Sequence, residues 1–267
     1  PPGVARPRRF PWPKVNGSPS KVADLFSREW VDATWSWRDA TGHYQPRIAR
    51  PDAIECLHAQ VGWLLGVRGV DGESTETIAL RVAALLRAGQ AKAALPWIEM
   101  VAAAQQDDGW VPVWFMADGT PAPRLRMGQY AGQGQLAFMA LEYYRFTQDA
   151  AFLQAMFPRL QNALAYLQRL RADQEKTDWL LPEDQRFLVD GLLPASGPRP
   201  GSAKPQHRYA DQIWALLGWK ETRTAAALLG AEAEATWADE QYRLLKAQVR
   251  RSLRARMDLM TGMWVPG

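Results

Sequence analysis

The sequence predicts an all-α fold in which helical hairpins are arranged around an axis as an (α/α) barrel or toroid. Two links, Gly89–Gln90 and Gln148–Asp149, are so short that the helices they join must be antiparallel neighbours. Two other connections, residues 107–129 and 173–209, are long and contain many Gly, Pro, Trp and Asp residues. Because short turns alternate with long loops, we expect the long loops to lie on one common face of the assembly.

Each element follows from a local pattern. Six prolines among the first 19 residues predict an extended strap over residues 1–19, and residues 20–267 then form the helical-hairpin domain. Apolar residues recur at helical spacing in eight segments, and no segment predicts a convincing strand. The predicted helices are residues 20–37, 52–68, 75–88, 91–106, 130–147, 150–171, 210–229 and 236–258.

The composition excludes several classes of protein. With 267 residues, of which 47% are hydrophobic, the chain can bury a substantial core. Apolar runs such as Val82–Leu86 are far shorter than the roughly 20 residues of a membrane span, so we expect no membrane insertion. The first residues contain no signal-peptide-like apolar segment, so we expect a soluble protein, either cytoplasmic or exported with its signal removed.

Metal and cofactor sites are not expected. Cys56 is the only cysteine, so neither an intrachain disulfide nor a cysteine-based metal cluster can form. His43, His58 and His207 do not have the spacing of metal ligands. The chain also lacks a Gly-rich phosphate loop and a Gly-x-Ser-x-Gly nucleophile elbow, so the sequence predicts no cofactor.

The net charge of +4 owes much to one late segment. Leu245, Val249, Leu253 and Met257 alternate there with basic residues at helical spacing, which predicts an amphipathic helix with a solvated basic face. No aromatic residues alternate with the arginines to stack on bases, so we do not expect a nucleic-acid partner. The basic residues are Arg243, Lys246, Arg250, Arg251, Arg254 and Arg256. The oligomeric state stays open.

The junction near residue 209 has two interpretations. A proline-rich loop leads into a helix with Asp211 in its first turn, where a carboxylate complements the helix dipole by about 0.3–1 kcal/mol. An acid at a loop-to-helix junction is also a candidate for chemistry. The apolar residues that follow at helical spacing predict the buried face of this helix: Ala210, Ile213, Trp214 and Leu217.

A second cluster lies where the fourth predicted helix ends. Asp107, Asp108 and Gly109 are followed by Trp110, and Trp114 comes four residues later. Indole faces stack on the C–H face of a pyranose and carboxylates accept hydrogen bonds from hydroxyl groups, so the cluster is typical of a sugar site. The alternative is a helix stop at Gly109 with tryptophans packed over the rim of the barrel.

Three passages resemble the six-hairpin glycosidases, the (α/α)6 barrel clan that includes glucoamylases and trehalases. They are Arg81–Pro112, Gln133–Leu170 and Tyr209–Gly230, and their order and spacing carry the resemblance. The resemblance implies an inverting glycoside hydrolase, which uses two carboxyl groups about 6.5–9.5 Å apart. The eight predicted helices compare with twelve in a complete barrel, so the chain is either part of a longer protein or an incomplete barrel.

The resemblance also implies roles for individual residues. Asp211 matches the general acid, with Tyr209 and Trp214 excluding water around it, and the second carboxylate has no match. The alternatives are a non-catalytic domain that binds carbohydrate or protein and, less favoured, a polysaccharide lyase that uses Tyr209 and His207. The predicted substrate-binding residues are Asp108, Trp110, Trp114, Tyr209 and Trp214.

Overall fold

A computed structural model describes residues 60, 62, 72–124, 129–173, 182–197 and 205–259. The chain divides into two compact units, Pro1–Val67 and Arg68–Gly267, and the described residues belong almost entirely to the second. The predicted strap over residues 1–19 and the predicted helices at 20–37 and 52–68 lie outside the described residues.

The described part is mostly helical, as predicted. A short 3-10 helix, Glu183–Leu188, lies in the second long connection. The second α-helix ends three residues before the predicted boundary, and the last one begins four residues earlier than predicted. The α-helices are α1 (Thr75–Arg87), α2 (Ala91–Ala103), α3 (Gly132–Thr147), α4 (Ala150–Ala172), α5 (Tyr209–Leu228) and α6 (Glu232–Leu259).

Short polar segments set the helix boundaries. The Ser74 hydroxyl accepts a hydrogen bond from the Thr77 N–H and so caps the start of α1, and the Asp149 carboxylate caps α4 through the Phe152 N–H in the same way. Helix α3 ends at Gln148, whose φ of 55° lies in the left-handed region. Gln148 and Asp149 form one of the two predicted short links, and Gly89, with a φ of 75°, begins the other.

The described residues include a pair of short strands that the sequence pattern does not predict. Strands β1 (Glu73–Ser74) and β2 (Trp114–Phe115) are antiparallel, with Glu73 opposite Phe115 and Ser74 opposite Trp114. Each strand has two residues, which is too short to show the alternation by which strands are recognised in a sequence. The pair fixes the first long connection next to the start of α1.

The helices form three hairpins: α1 with α2, α3 with α4, and α5 with α6. Helix α3 packs against both α1 and α5, so these three form an inner row, while α2, α4 and α6 pack on it from outside. The segment Val111–Val113 contacts the first residues of both α1 and α3, and Arg87 at the end of α1 pairs with Glu142 of α3. The inner helices α1 and α3 therefore run in the same direction.

Two glycines bring the backbones of α3 and α5 into contact. A Cβ atom added at Gly134 would lie 1.9 Å from the carbonyl oxygen of Trp214, and one added at Gly218 would lie 2.8 Å from the Cα of Gly134. Contacts this short are available only to residues without a side chain. The separation of the two inner helices therefore depends on glycine at both positions.

A network of ion pairs joins all three inner helices near their C-terminal ends. Glu142 of α3 forms an ion pair with Arg87 of α1 at 2.8 Å and accepts a hydrogen bond from Arg145 of its own helix at 3.0 Å. Arg145 also pairs with Glu221 of α5. The side chain of Glu142 is only 9% exposed and that of Glu221 only 4%, so both carboxylates depend on their arginine partners.

The predicted buried face of α5 is wrong. Ile213 is 60% exposed and Ala210 is exposed, whereas polar residues, including Gln212 and Glu221, are buried. The polar side chains have partners inside the protein, because Gln212 bonds the backbone at Leu193 and Glu221 pairs with an arginine of α3. The buried face of α5 consists of Asp211, Gln212, Ala215, Gly218, Trp219, Glu221, Thr222, Ala225 and Ala226.

The last helix has the predicted amphipathic character. Leu245 and Val249 of α6 are buried, and Arg243, with 78% of its side chain exposed, faces solvent. Arg243 pairs with Asp239 one turn earlier in the same helix. Arg250, Arg251 and Arg254 are exposed as well, whereas Arg256 faces Tyr209 of α5.

Candidate functional site

The first long connection is fixed to the start of α1 by a buried threonine. The Thr75 hydroxyl donates to the carbonyl oxygen of Pro112 at 2.6 Å, and the Thr75 N–H donates to that of Val113 at 3.0 Å. Both bonds use groups in the first turn of a helix, where backbone N–H groups have no partner within the helix. The chain between Val111 and Val113 is therefore held directly over α1.

Gln133 fixes the same long connection to the start of α3. In the amide orientation that satisfies both groups, its nitrogen donates to the Tyr130 carbonyl at 2.9 Å and its oxygen accepts the Val111 N–H at 3.2 Å. A Cβ added at the neighbouring Gly132 would lie 2.6 Å from the Val111 carbonyl oxygen. Helices α1 and α3 therefore hold the same loop segment from two sides.

At the start of α5, Gln212 holds the second long connection. Its side-chain oxygen accepts a hydrogen bond from the Leu193 N–H at 2.9 Å. Ser196 and Gln206 exchange two backbone hydrogen bonds, of 2.9 and 3.1 Å, which close the loop in front of the helix. We call the first turns of α1, α3 and α5, together with segments 110–114 and 193–196, the loop face.

Asp211 lies on this loop face. It occupies the first turn of α5, next to Gln212, and it is 1% exposed. Burial of a carboxyl group disfavours its charged form, whereas the helix N-terminus favours it. The structure therefore places Asp211, the acid singled out from the sequence, in a buried position at the start of an inner helix.

The two aromatic residues predicted to surround Asp211 pack in different directions. The Tyr209 hydroxyl lies 2.7 Å from the Ser252 hydroxyl of α6, and the Arg256 guanidinium lies 5.9 Å from the centre of the Tyr209 ring. Trp214 instead meets Phe138 of α3 edge-on, with ring centres 5.9 Å apart. Both side chains are half-buried, and they occupy positions before and after Asp211 in the same helix.

Asp108 and Trp110 belong to a cluster centred on Arg124. The Asp108 carboxylate accepts the Trp110 N–H at 3.0 Å and Arg124 at 2.6 Å. Arg124 also donates to the Tyr166 hydroxyl of α4 at 2.9 Å, and its guanidinium lies over the rings of Trp110 and Tyr166 at 5.2 and 5.3 Å. Because Trp110 is only 4% exposed, most of its ring surface is used in packing. The cluster attaches the loop to α4.

Trp114, in contrast, is presented to solvent. It lies in β2 opposite Ser74, the residue that caps α1, and it is 43% exposed. The loop face therefore has a buried acid at α5 and an exposed indole at α1, with α3 between them.

Comparison with known proteins decides the family. Residues 76–258 match the family model described as the bacterial alpha-L-rhamnosidase 6 hairpin glycosidase domain. The chain belongs to this family. No match was found among curated proteins or among solved structures. The predicted resemblance to six-hairpin glycosidases is confirmed, and in this rhamnosidase family domain the matched region includes Asp211.

A half-buried acid that the sequence analysis did not find lies just before the residues that the family model matches. Glu73 of β1 receives two hydrogen bonds from Arg81, at 2.7 and 2.6 Å, and Arg81 lies over the Trp97 ring at 4.5 Å. Burial raises the pKa of Glu73, and this outweighs the lowering effect of Arg81. Since both charges of the pair are largely buried, its main role is to attach β1 to α1 and α2.

The Asp108–Arg124 contact predicts a dependence of stability on pH. Partial burial acts to raise the pKa of Asp108, but hydrogen bonds from Arg124 and from the Trp110 N–H lower it below the usual 3.8. The stability that this contact contributes is therefore present above pH 3.8 and is lost as pH falls through the lower pKa of the folded state.

In urea unfolding measured at several pH values, Asp108→Asn should cost roughly 0.2–1 kcal/mol at neutral pH, as expected for an exposed ion pair. The variant keeps an oxygen acceptor for the Trp110 N–H but loses the charge. The difference should shrink as the pH falls below 3.8 and through the lower pKa that Asp108 has in the folded state. An unchanged difference from pH 7 to pH 2 would contradict the assigned role of the charge.

Two further observations concern the described residues as a whole. No three histidine, cysteine, aspartate or glutamate side chains among them are grouped so that they could hold a metal ion. No helix in the same part of the chain has the length and apolar character needed to span a membrane.

Proposed function

We propose that the chain forms a catalytic domain that cleaves α-L-rhamnosidic bonds, with Asp211 as the general acid. The observation that carries the proposal is the burial of this carboxyl group, 1% exposed, at the start of an inner helix on the loop face. Membership of the bacterial alpha-L-rhamnosidase six-hairpin glycosidase family supports the choice of bond.

In this proposal Asp211 gives its proton to the glycosidic oxygen as the bond between that oxygen and the anomeric carbon breaks. A second carboxylate takes a proton from water, which attacks the anomeric carbon from the opposite face and inverts its configuration. We assign that second role to none of the described residues. Glu73 and Asp108 are poor candidates for the general base, because each forms an ion pair with an arginine.

The predicted binding residues have different roles in this proposal. Trp114 presents an exposed indole to a sugar ring, while Tyr209 and Trp214 restrict water around Asp211. Asp108 and Trp110 shape the site indirectly, because the contacts of both with Arg124 hold the loop that contains Trp114.

The proposal predicts that Asp211→Asn strongly slows hydrolysis. The assay uses the longest natural form of the protein containing this chain and a panel of α-L-rhamnosides and other α- and β-linked oligosaccharides. Loss of the general acid should lower kcat by about 10²–10⁴-fold, since asparagine has the same shape but no proton to donate.

Asp190→Asn is the matched control for this experiment. The Asp190 side chain is 66% exposed and pairs with Arg251, so the same change there should leave kcat unchanged. If wild type and Asp211→Asn hydrolyse at the same rate, Asp211 has no part in the mechanism.

The second candidate function is a non-catalytic carbohydrate-binding domain. The observation that favours it is that an indole is exposed on the loop face while the acids Glu73 and Asp108 are held by arginines. Saccharide binding without hydrolysis of any substrate in the panel would favour this function.

A further inference from the structure

Residues 114–122 form a tight hairpin that extends β2. The Met116 N–H donates to the Thr120 carbonyl at 2.8 Å, and the Ala122 N–H donates to the Trp114 carbonyl at 2.9 Å. At the tip, the Asp118 carboxylate accepts the Thr120 N–H at 2.9 Å. These bonds fix the backbone of a segment that lies on the surface of the protein.

The hairpin presents two apolar side chains on one side. Trp114 is 43% exposed and Met116 is 48% exposed, whereas Phe115 between them is 1% exposed. Alternate residues of an extended strand point to the same side, so Trp114 and Met116 are neighbours. Phe115 anchors the strand in the core and leaves its two neighbours at the surface.

The position of the indole is fixed from behind by Gly72. A Cβ added at Gly72 would lie 2.9 Å from Nε1 of Trp114 and 2.4 Å from the carbonyl oxygen of Phe115. Gly72 also has a φ of 96°, which favours glycine. The indole edge therefore lies against the backbone of residue 72, which restricts the ring while nearly half of its surface stays exposed.

The distance to Asp211 limits what can bind to both places. Trp114 lies beside the start of α1, and Asp211 lies at the start of α5, with α3 between these helices. Neighbouring packed helices are separated by about 8–10 Å, and α1 and α5 pack on α3 rather than on each other, so the exposed indole and the acid lie more than one such spacing apart. A single sugar ring cannot reach from one to the other.

We propose that Trp114 and Met116 form a stacking subsite for a sugar ring remote from the bond that is cleaved, so that the ligand is an oligosaccharide. The C–H face of a pyranose stacks on an indole, and the Met116 thioether extends the apolar surface. The subsite rests on the proposed function in one respect, which is that the bond to be cleaved lies at Asp211.

The variant Trp114→Ala tests the subsite independently of Asp211. Calorimetry is used to measure the affinities for an α-linked rhamnotriose and for methyl α-L-rhamnoside. Aromatic contacts of about 0.5–1.5 kcal/mol correspond to an approximately two- to twelvefold loss of affinity for the trisaccharide. The monosaccharide should bind with unchanged affinity, and Trp114→Phe should restore most of the lost affinity.

Phe187→Ala is the matched control, because Phe187 is also an exposed aromatic residue, at 52%, but lies in the 3-10 helix away from the hairpin. It should change neither affinity. Equal losses for both ligands in Trp114→Ala, no loss for either, or failure of the trisaccharide to bind the wild type would each overturn the subsite.

The outcomes also distinguish failure of the subsite from failure of the proposed function. Trisaccharide binding that depends on Trp114, without hydrolysis by the wild type, would support the subsite and reject the catalytic role of Asp211. Hydrolysis that depends on Asp211, together with a trisaccharide affinity that is unchanged in Trp114→Ala, would reject the subsite and support the catalytic role of Asp211.

Discussion

Replacing Gly134 by alanine is expected to lower the free energy of unfolding by about 3 kcal/mol or more, at the upper end of the range for overpacked cores. The added Cβ would lie 1.9 Å from the carbonyl oxygen of Trp214, and a backbone atom in a helix cannot move aside alone. Helices α3 and α5 would have to separate, which also disturbs the contact between Phe138 and Trp214. The gain of roughly 1 kcal/mol in helix propensity offsets only part of this cost.

Urea unfolding followed by circular dichroism measures the change. Gly230→Ala is the control, because a Cβ at Gly230 would have no atom within 4 Å. It should cost only about 1–2 kcal/mol, from the left-handed backbone conformation at a φ of 70°. Equal stability of Gly134→Ala and wild type would contradict the close approach of the inner helices.

Replacing Arg145 by methionine is expected to destabilise the protein by about 3–5 kcal/mol. Glu221, whose side chain is 4% exposed, would lose the arginine that neutralises it, whereas Glu142 would keep Arg87. A buried carboxylate without a partner costs far more than the loss of one exposed ion pair.

Two further variants test whether the unpaired Glu221 carboxylate causes the loss of stability in Arg145→Met. The double variant Arg145→Met, Glu221→Met should recover much of the lost stability, because it removes the stranded charge and fills similar volume. Arg243→Met breaks a pair whose arginine is 78% exposed, and it should cost no more than about 0.5 kcal/mol. If the double variant were less stable than Arg145→Met, the buried charge would not be the cause.

The sequence was sufficient to predict the hairpins. Apolar spacing located all six described α-helices, and the short links at Gly89–Gln90 and Gln148–Asp149 correspond to real helix stops. These features are local, since a helix and its end depend on residues within a few positions of each other. The all-α prediction and the family resemblance followed from this order of elements.

The buried face of α5 could not be predicted in the same way. Apolar spacing favoured Ile213, but α5 buries polar residues whose partners come from distant parts of the chain. Gln212 binds the backbone at Leu193, and Glu221 pairs with Arg145, 76 positions away in sequence. A pattern that counts apolar residues carries no information about such partners.

The candidate site was only partly predictable for the same reason. Asp211 stood out because a proline-rich loop leads directly into its helix, and Trp114 because tryptophans follow an acidic cluster. Arg124 had no such signal, since its partners Asp108 and Tyr166 lie 16 and 42 positions away. The roles of Asp211 and Trp114 in catalysis and binding stay predictions.

The most direct test of the central claim compares two leaving groups in Asp211→Asn. A methyl α-L-rhamnoside needs a proton on its departing oxygen, whereas a dinitrophenyl α-L-rhamnoside releases a stable phenolate without one. With Asp211 as general acid, kcat/KM should fall by about 10²–10⁴-fold for the methyl glycoside and far less for the dinitrophenyl glycoside. An equal loss for both substrates would contradict the assignment.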